Sequence, residues 1–448
     1  MGDNMNQKGF KSKFGFVFAA IGSAVGLGNI WSFPYKLSNG GVVFFCIYII
    51  LSVIVGIPLL ISEICIGRNA KGSVIDAYKN VSPKLKCTGI LAVISPCIVM
   101  SYYSVIGGLC VKYFFINLKA VFFGFSFDDG IIKFEQATSN VFSSVVFTIV
   151  FIGLTYIVSC RGISDGIEKF NIFAVPLLFL ILSVSLIRNI ISLGVSDTFN
   201  IFLNSSKGIK ITEVISIFSS AGEQMFFSLS IAVGTMITYG SLMNKKQDIP
   251  LAATTVSVAD SLVAILAGLT IIPAAYPDTS VTNDASGPDF LFITMQKVFL
   301  KDFEIGAIFG TLFFLFVIIA ALSSAVAFIE VPVNAIENTG GNNRKWVLVI
   351  CCIIISAPAV VIASDGFKNN VLEICMFVAE GLFIPVTALI TSVYLGWFGG
   401  IKIVLKELEK SRYYNFCKKI FPFVFKYLAP LVLITVLIGQ IVGFMDIS

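Results

Sequence analysis

Long apolar runs separated by short polar stretches dominate the chain. Eleven such runs stand out, at about 14–36, 42–67, 88–118, 140–159, 167–187, 213–241, 249–275, 305–336, 346–363, 371–397 and 423–444. A helix rising 1.5 Å per residue crosses a bilayer core in about 20 residues, so each run is a transmembrane candidate. Several are longer than about 25 residues, which implies tilt or extension beyond the hydrocarbon. A transmembrane β-barrel would instead alternate apolar and polar positions over segments of about ten residues. The pattern predicts an all-α polytopic membrane protein with the lipid bilayer as its main surrounding.

Two runs are interrupted at their centres. In the first, GSAVGLGNIWSFPY (Gly22 to Tyr35), glycines stand at 22, 26 and 28 and are followed by Asn29. In the sixth, FFSLSIAVGTMITYG (Phe226 to Gly240), Ser228, Ser230 and Gly234 fall near the middle. Irregular backbone at membrane depth is tolerated only where it lines a cavity or is buried in protein. Carbonyls freed by such a break suit a cation, and the N-terminal end of the following half-helix suits an anion such as a carboxylate. Two breaks five spans apart are what an inverted five-helix repeat produces. On that basis one transmembrane domain covers 1–448, with repeats at 14–187 and 213–397 and an added helix at 423–444. Gly22 and Gly26 also form a G-x-x-x-G, so close helix packing is an alternative. Packing alone explains neither Asn29 nor the second break.

Composition narrows the picture further. The chain is 57% hydrophobic and 13% charged, with mean hydropathy +0.93. Its net charge of +5 is spread through loops, which excludes a nucleic-acid surface. Its ten cysteines lie mostly inside apolar runs, with no C-x-x-C and no histidine, which argues against zinc or haem. The basic start (Lys8, Lys11, Lys13) leads into the first run without an A-x-A cleavage site, so this run is expected to be retained as a helix. Placing the N-terminus inside puts Lys71, Lys79, Lys84, Lys86, Lys245, Lys246 and the cluster from Lys402 to Lys419 inside as well. The positive-inside rule then predicts a cytoplasmic N-terminus and an extracytoplasmic C-terminus. Abundant Phe, Ile, Lys and Asn with little Arg suggest an AT-rich bacterial genome, hence a bacterial plasma (inner) membrane. The outer loop from Tyr276 to Lys301, with Asp278, Asp284, Gly287, Pro288 and Asp289, reads as a lid or a plain connector.

SAVGLGNIWSFPY resembles the first-helix signature of the neurotransmitter:sodium symporters, in particular their eleven-helix bacterial amino-acid transporters. FFSLS (Phe226 to Ser230) is similar to the sixth-helix break, SYYS (Ser101 to Ser104) to the third-helix substrate tyrosine, and ALSSAVAFIE (Ala321 to Glu330) to the eighth-helix sodium site. The likeness extends across ten spans and implies a sodium-coupled amino-acid symporter working by alternating access. It implies one Na+ site from the Gly22, Val25 and Ala320 carbonyls with the Ser323 and Ser324 hydroxyls. A second would use the Ala24 carbonyl, Asn29, Ser228 and Asp260. Such oxygens suit a hard cation, although serine hydroxyls in membrane helices also bond the preceding turn. Asp260 is an acid inside the seventh span, a functional position by default. Many relatives carry Asn there and bind chloride, so the fixed aspartate implies chloride independence; the alternative is a protonated structural acid.

The same resemblance places the substrate between the two breaks. Its carboxylate would meet sodium, the Gly26 to Gly28 amides and the Tyr103 hydroxyl. Ser23, Ala24, Val99, Phe227, Ser230, Val233, Ser324, Ala325 and Phe328 would complete the pocket. Gly26 stands where the monoamine branch carries an aspartate, which favours an amino acid over an amine. The small and apolar lining favours a hydrophobic side chain, aromatic or large aliphatic, because an unpaired charge there would cost several kcal/mol. Gly166 to Pro176 spells G-x9-P in the fifth span, which in bacterial relatives lets the inner half unwind. An ordinary helix start and kink is the alternative.

The chain also departs from the family. Ser32 and Met376 occupy the positions of the outer-gate Arg and Asp, so both charges of that pair are missing together. The inner-gate positions fall at Gln7, Phe10 and Asn338, with Lys8 and Glu337 as stand-ins. Lys36 and Glu223, each one turn from the break region, are expected to form a replacement outer pair. Glu63 and Glu330 are expected to act as interhelical hydrogen-bonding partners. Two rival functions follow from these departures: a non-transporting amino-acid sensor on the same scaffold, and a proton-coupled carrier using Glu223 or Asp260. An enzyme is disfavoured, since there is no histidine and the intramembrane acids form no recognisable pair. The motifs do not specify oligomeric state or sodium stoichiometry.

Overall fold

The computed structural model describes residues 9–124, 137–204, 214–275, 290–301, 306–340, 343–365 and 370–447. All regular elements among them are helical. Among the described residues nine helices are long and apolar enough to cross a membrane. The first of these, Gly28–Ala70, holds the outer half of the first span and the whole second span. Gly41 turns the chain between the two with φ 53 and ψ −148, a conformation that only glycine adopts readily. The inner half of the first span is the short helix Lys13–Ala24, and the sixth span is split into Val214–Ser228 and Thr235–Ser241. Among the described residues the expected eleven spans are therefore present, two of them broken.

The third span, Lys86–Phe123, and the eighth, Gly306–Gly340, are unbroken helices of 38 and 35 residues. The eighth is buried along most of its length. Large apolar side chains such as Ile50, Val53, Ile149, Leu180, Ile353 and Leu431 point outward. In lipid this outward face carries no hydrophobic penalty, and inter-helix contact depends on packing and hydrogen bonds instead.

Both breaks have local causes. The last regular bond of the first half-helix runs from Val25 N–H to the Ile21 carbonyl at 2.7 Å, and Val25 itself is extended (φ −80, ψ 104). A wide turn over Gly28–Ser32 follows, and Pro34 sits in the first turn of the next helix, where a missing N–H is harmless. In the sixth span Ser230 (φ 52), Ala232 (φ 64) and Gly234 (φ 76) are all left-handed. Two non-glycine residues in that region cost on the order of 1 kcal/mol each and persist only where their surroundings hold them. Here Glu63 Oε1 accepts the Ala232 N–H at 2.7 Å, and the Ser230 hydroxyl reaches the Ser23 carbonyl at 2.9 Å.

The structure also holds elements absent from the sequence reading. Short helices connect the spans at Val74–Val81, Val195–Asn204 and Ile401–Leu408. Each is too short to register as an apolar run. Ser73 and Asp76 form a reciprocal cap at the first. The third is tied down by Arg68, whose Nε donates to Glu407 Oε2 at 2.8 Å. Within the polar stretch 276–301, Phe290–Thr294 and Met295–Lys301 are helical, while Asp278, Asp284, Gly287, Pro288 and Asp289 lie outside the described residues.

Candidate functional site

The two breaks face each other at the centre of the bundle. Ser230 Oγ donates to the Ser23 carbonyl at 2.9 Å, and Ser23 Oγ lies 3.2 Å from Ser230 Oγ. Gln224 Nε2 donates to the Gly28 carbonyl at 3.0 Å. Polar groups freed by one broken helix are thus satisfied by the other.

The residues of the first expected cation site converge. Ser323 Oγ is 3.4 Å from the Val25 carbonyl and 2.8 Å from the Ala320 carbonyl. Ser324 Oγ is 3.3 Å from the Gly22 carbonyl, 3.2 Å from that of Ser23 and 3.4 Å from that of Val25. The bond from Ser323 to its own preceding turn and the cross-helix contacts coexist, so one serine serves both. Ser323 and Ser324 are buried. The packing alternative for the glycines holds as well: a Cβ on Gly22 would overlap the Asn171 side chain.

The second expected site is built around Asp260, which is fully buried. Its Oδ1 accepts from Asn29 Nδ2 at 2.7 Å and from Ser228 Oγ at 2.7 Å. Its Oδ2 accepts from the Tyr48 hydroxyl at 2.9 Å. Asn29 Oδ1 is turned away, accepting the Gly26 N–H at 3.1 Å. The structure therefore brings Asn29, Ser228 and Asp260 together but points the amide nitrogen, not the oxygen, at the carboxylate. A cation ligated by Asn29 requires that amide to rotate. Tyr48 had no place in the sequence reading. The available signal was a tyrosine in an apolar run, whose buried hydroxyl needs a partner.

Beside these lies a small cavity lined by Ser23, Ala24, Gly26, Leu27, Gly28, Tyr103, Phe227, Ser228, Ser324 and Phe328. Eight of these belong to the expected substrate pocket; Leu27 and Ser228 are additions. Val99, Ser230, Val233 and Ala325 are buried but do not line it. Ser230 is engaged with Ser23 instead. The Tyr103 hydroxyl accepts the Leu27 N–H at 3.2 Å, and its ring meets Phe328 edge-on at 5.6 Å.

On the outer side, Lys36 Nζ and Glu223 Oε2 are 2.9 Å apart, the expected replacement pair. Ser32 donates to Gln224 Oε1 at 2.8 Å. The Tyr102 hydroxyl donates to Glu380, and neither residue was singled out from the sequence. Neutralising either member of the Lys36–Glu223 pair leaves the other poorly compensated. Lys36→Met or Glu223→Gln should each lower uptake severalfold, and the exchange Lys36→Glu with Glu223→Lys should recover most of it. Initial-rate uptake by wild type and the three variants checks this, and an exchange no better than the single variants would remove the pairing.

On the inner side, Phe10 stacks edge-on against Tyr239 at 5.5 Å. Gln7 and Lys8 lie outside the described residues. Glu337 faces Arg344 at 3.6 Å, and Asn338 Nδ2 bonds the Asn334 carbonyl at 2.8 Å. Glu330 takes Arg344 in a bidentate pair at 2.6 and 3.0 Å, and Glu63 holds the sixth-span break as described, so both act between helices as expected. The start of the first helix is fastened by Glu168 of the fifth span, which accepts Lys11 N–H at 2.9 Å, Ser12 N–H at 3.2 Å and Ser12 Oγ–H at 2.8 Å. Glu168 closes the wide-turn segment Ile163–Glu168 that contains Gly166.

Comparison with known proteins agrees with this architecture. The family model of the sodium:neurotransmitter symporters matches residues 7–124 and 121–448. An uncharacterized sodium-dependent transporter of Bacillus subtilis is 32% identical over 450 residues, covering 96% of this chain and 97% of that protein. A sodium-dependent neutral amino acid transporter of Rattus norvegicus, B(0)AT3, is 28% identical over 289 residues, covering 58% and 46%. The crystal structure of MhsT in complex with L-phenylalanine superposes with a TM-score of 0.87 at 27% identity, covering 97% of this chain and 100% of that one. The likeness spans both broken helices and the eleventh span.

Proposed function

The chain belongs to the sodium:neurotransmitter symporter family, and from that premise we propose that it imports a hydrophobic amino acid, aromatic or large aliphatic, by sodium-coupled alternating access. The observation that carries this is the meeting of the two broken helices around convergent carbonyl and hydroxyl oxygens, next to a cavity with Gly26 and Tyr103 on its wall. Sodium is cargo here. Bound at the Gly22, Val25, Ala320, Ser323 and Ser324 oxygens, it holds the inner half of the first span against the eighth. At Ala24, Asn29, Ser228 and Asp260 a second ion completes the place for the substrate carboxylate. The donors are hard oxygens, as sodium requires. Phe227 and Tyr103 border the cavity and close over a bound side chain. The gradient supplies the work, with voltage adding about 2.3 kcal/mol per charge per 100 mV.

The substrate class rests on two supports. One is the mostly apolar and small cavity lining. The other is the solved relative that carries L-phenylalanine. The membrane is that of a bacterial cell, with the N-terminus inside by charge bias.

Uptake of labelled tryptophan, tyrosine, phenylalanine, leucine and methionine into proteoliposomes tests the proposal. Accumulation is expected only with an inward sodium gradient, not when choline replaces sodium. Accumulation driven by a pH gradient in choline would assign a proton-coupled carrier instead. Sodium-dependent binding without flux would assign a sensor.

A further inference from the structure

The fifth span turns two polar side chains toward the first. Glu168 and Asn171 are three residues apart and share a helix face. Opposite them stand Gly15 and Gly22, seven residues apart, which is about two turns. A Cβ on Gly15 would overlap the Glu168 carboxylate, and one on Gly22 would overlap the Asn171 amide oxygen. Glu168 has its partners in the backbone of Lys11 and Ser12 and the Ser12 hydroxyl. Asn171 does not. Its Nδ2 donates to the Ile167 carbonyl at 2.9 Å, and since a carbonyl only accepts, this fixes the other end of the amide as oxygen. Asn171 is fully buried, and its Oδ1 has no hydrogen-bond partner. Ser323 Cβ is 3.2 Å from where a Gly22 Cβ would stand. A buried acceptor is therefore aimed at the layer between Gly22 and Ser323, the two residues that bring the fifth span's neighbours to the expected ion.

A buried acceptor without a donor is disfavoured, and an apolar side chain of similar shape would avoid the cost. A cation supplies what this oxygen lacks. We propose that Asn171 Oδ1 is a further oxygen donor for the sodium ion held between the first and eighth spans, directly or through one water. The assignment rests on the sodium-symporter reading above. It gives the G-x9-P segment a specific task. Glu168 fastens the start of the first helix and Asn171 contacts the ion, both from the stretch between Gly166 and Pro176. When the inner end of the fifth span moves, the fastening opens and the ion loses a donor in the same event. Ion release is then tied to the inner opening.

The test compares wild type, Asn171→Leu and Asn171→Asp in detergent. Leucine keeps the volume without the oxygen, and aspartate keeps the oxygen. Binding of labelled substrate is measured against sodium concentration, with thermal stability in sodium-free buffer as a control for packing. For Asn171→Leu the sodium half-saturation should rise about tenfold, the size of effect expected for one lost polar contact. Substrate affinity at saturating sodium and the sodium-free melting temperature should stay as in wild type. Asn171→Asp should keep half-saturation at or below the wild-type value. A sodium-dependent wild type with an unshifted Asn171→Leu overturns the assignment alone. So does a shift equal in both variants and accompanied by lower sodium-free stability. A wild type without sodium dependence overturns the symporter reading and the assignment with it.

Discussion

Asp260→Ala is expected to abolish sodium-driven uptake, by at least about 100-fold. The side chain is fully buried and takes three hydrogen bonds, from Asn29, Ser228 and Tyr48. Alanine leaves the Asn29, Ser228 and Tyr48 donors buried and unpaired, at about 1–3 kcal/mol each, and a total of about 3 kcal/mol or more corresponds to a factor of at least roughly 10² in an equilibrium. The loss falls on both broken helices together, because Asn29 belongs to the first and Ser228 to the sixth. The charge itself has a separate signature. On the proposed function a fixed carboxylate beside the ion would supply the negative charge that a chloride would otherwise bring, and wild-type uptake should then not change when gluconate replaces chloride. Asp260→Asn keeps the shape and removes the charge. Its residual uptake should be low and should rise with chloride. Uptake rates in chloride and gluconate, for wild type and both variants, decide the matter. Wild-type uptake that collapses in gluconate would end the idea that Asp260 replaces the anion.

Gly26→Ala is the second large effect. A Cβ there would stand 2.8 Å from the Tyr103 hydroxyl and in overlap with Ser324 Oγ. Both groups are buried and held, Tyr103 by the Leu27 N–H and Ser324 by carbonyls of the first break. Neither retreats freely, and overpacking at such a site costs about 1–3 kcal/mol. The methyl also occupies the wall of the cavity, where the proposed function puts the substrate carboxylate. Substrate affinity should fall by about 10- to 100-fold, with the protein still folded by its melting curve. Equilibrium binding of the preferred amino acid at saturating sodium measures this. An affinity within twofold of wild type would place the carboxylate elsewhere.

Much of the site is legible in the sequence because its signals are local. Gly22, Gly26, Gly28 and Asn29 lie within one apolar run, as do Ser228, Ser230 and Gly234, and a membrane helix has few reasons to contain them. Ser323 and Ser324 stand out as adjacent hydroxyls in an otherwise apolar stretch. Lys36 and Glu223 are visible as charges next to the two breaks, which is why their pairing could be anticipated across 187 residues. Tyr48, Asn171, Glu168, Glu380 and Gln224 carry no such mark. Each is an ordinary residue whose role depends on what stands opposite.

By itself the sequence determined the class, the eleven spans, the two breaks and the family, because a bilayer imposes a length and a polarity on each span that one segment must meet alone. Tertiary structure decided the partners. Tyr48 meets Asp260 across 212 residues, Glu168 meets Ser12 across 156, and Asn171 is pressed against Gly22. In a soluble helix the apolar stripe marks which face is inward. In these spans lipid and core are both apolar, so composition does not mark the buried face. Packing and interhelical hydrogen bonds set the rotation of each helix, and with it the side chains that reach the ion.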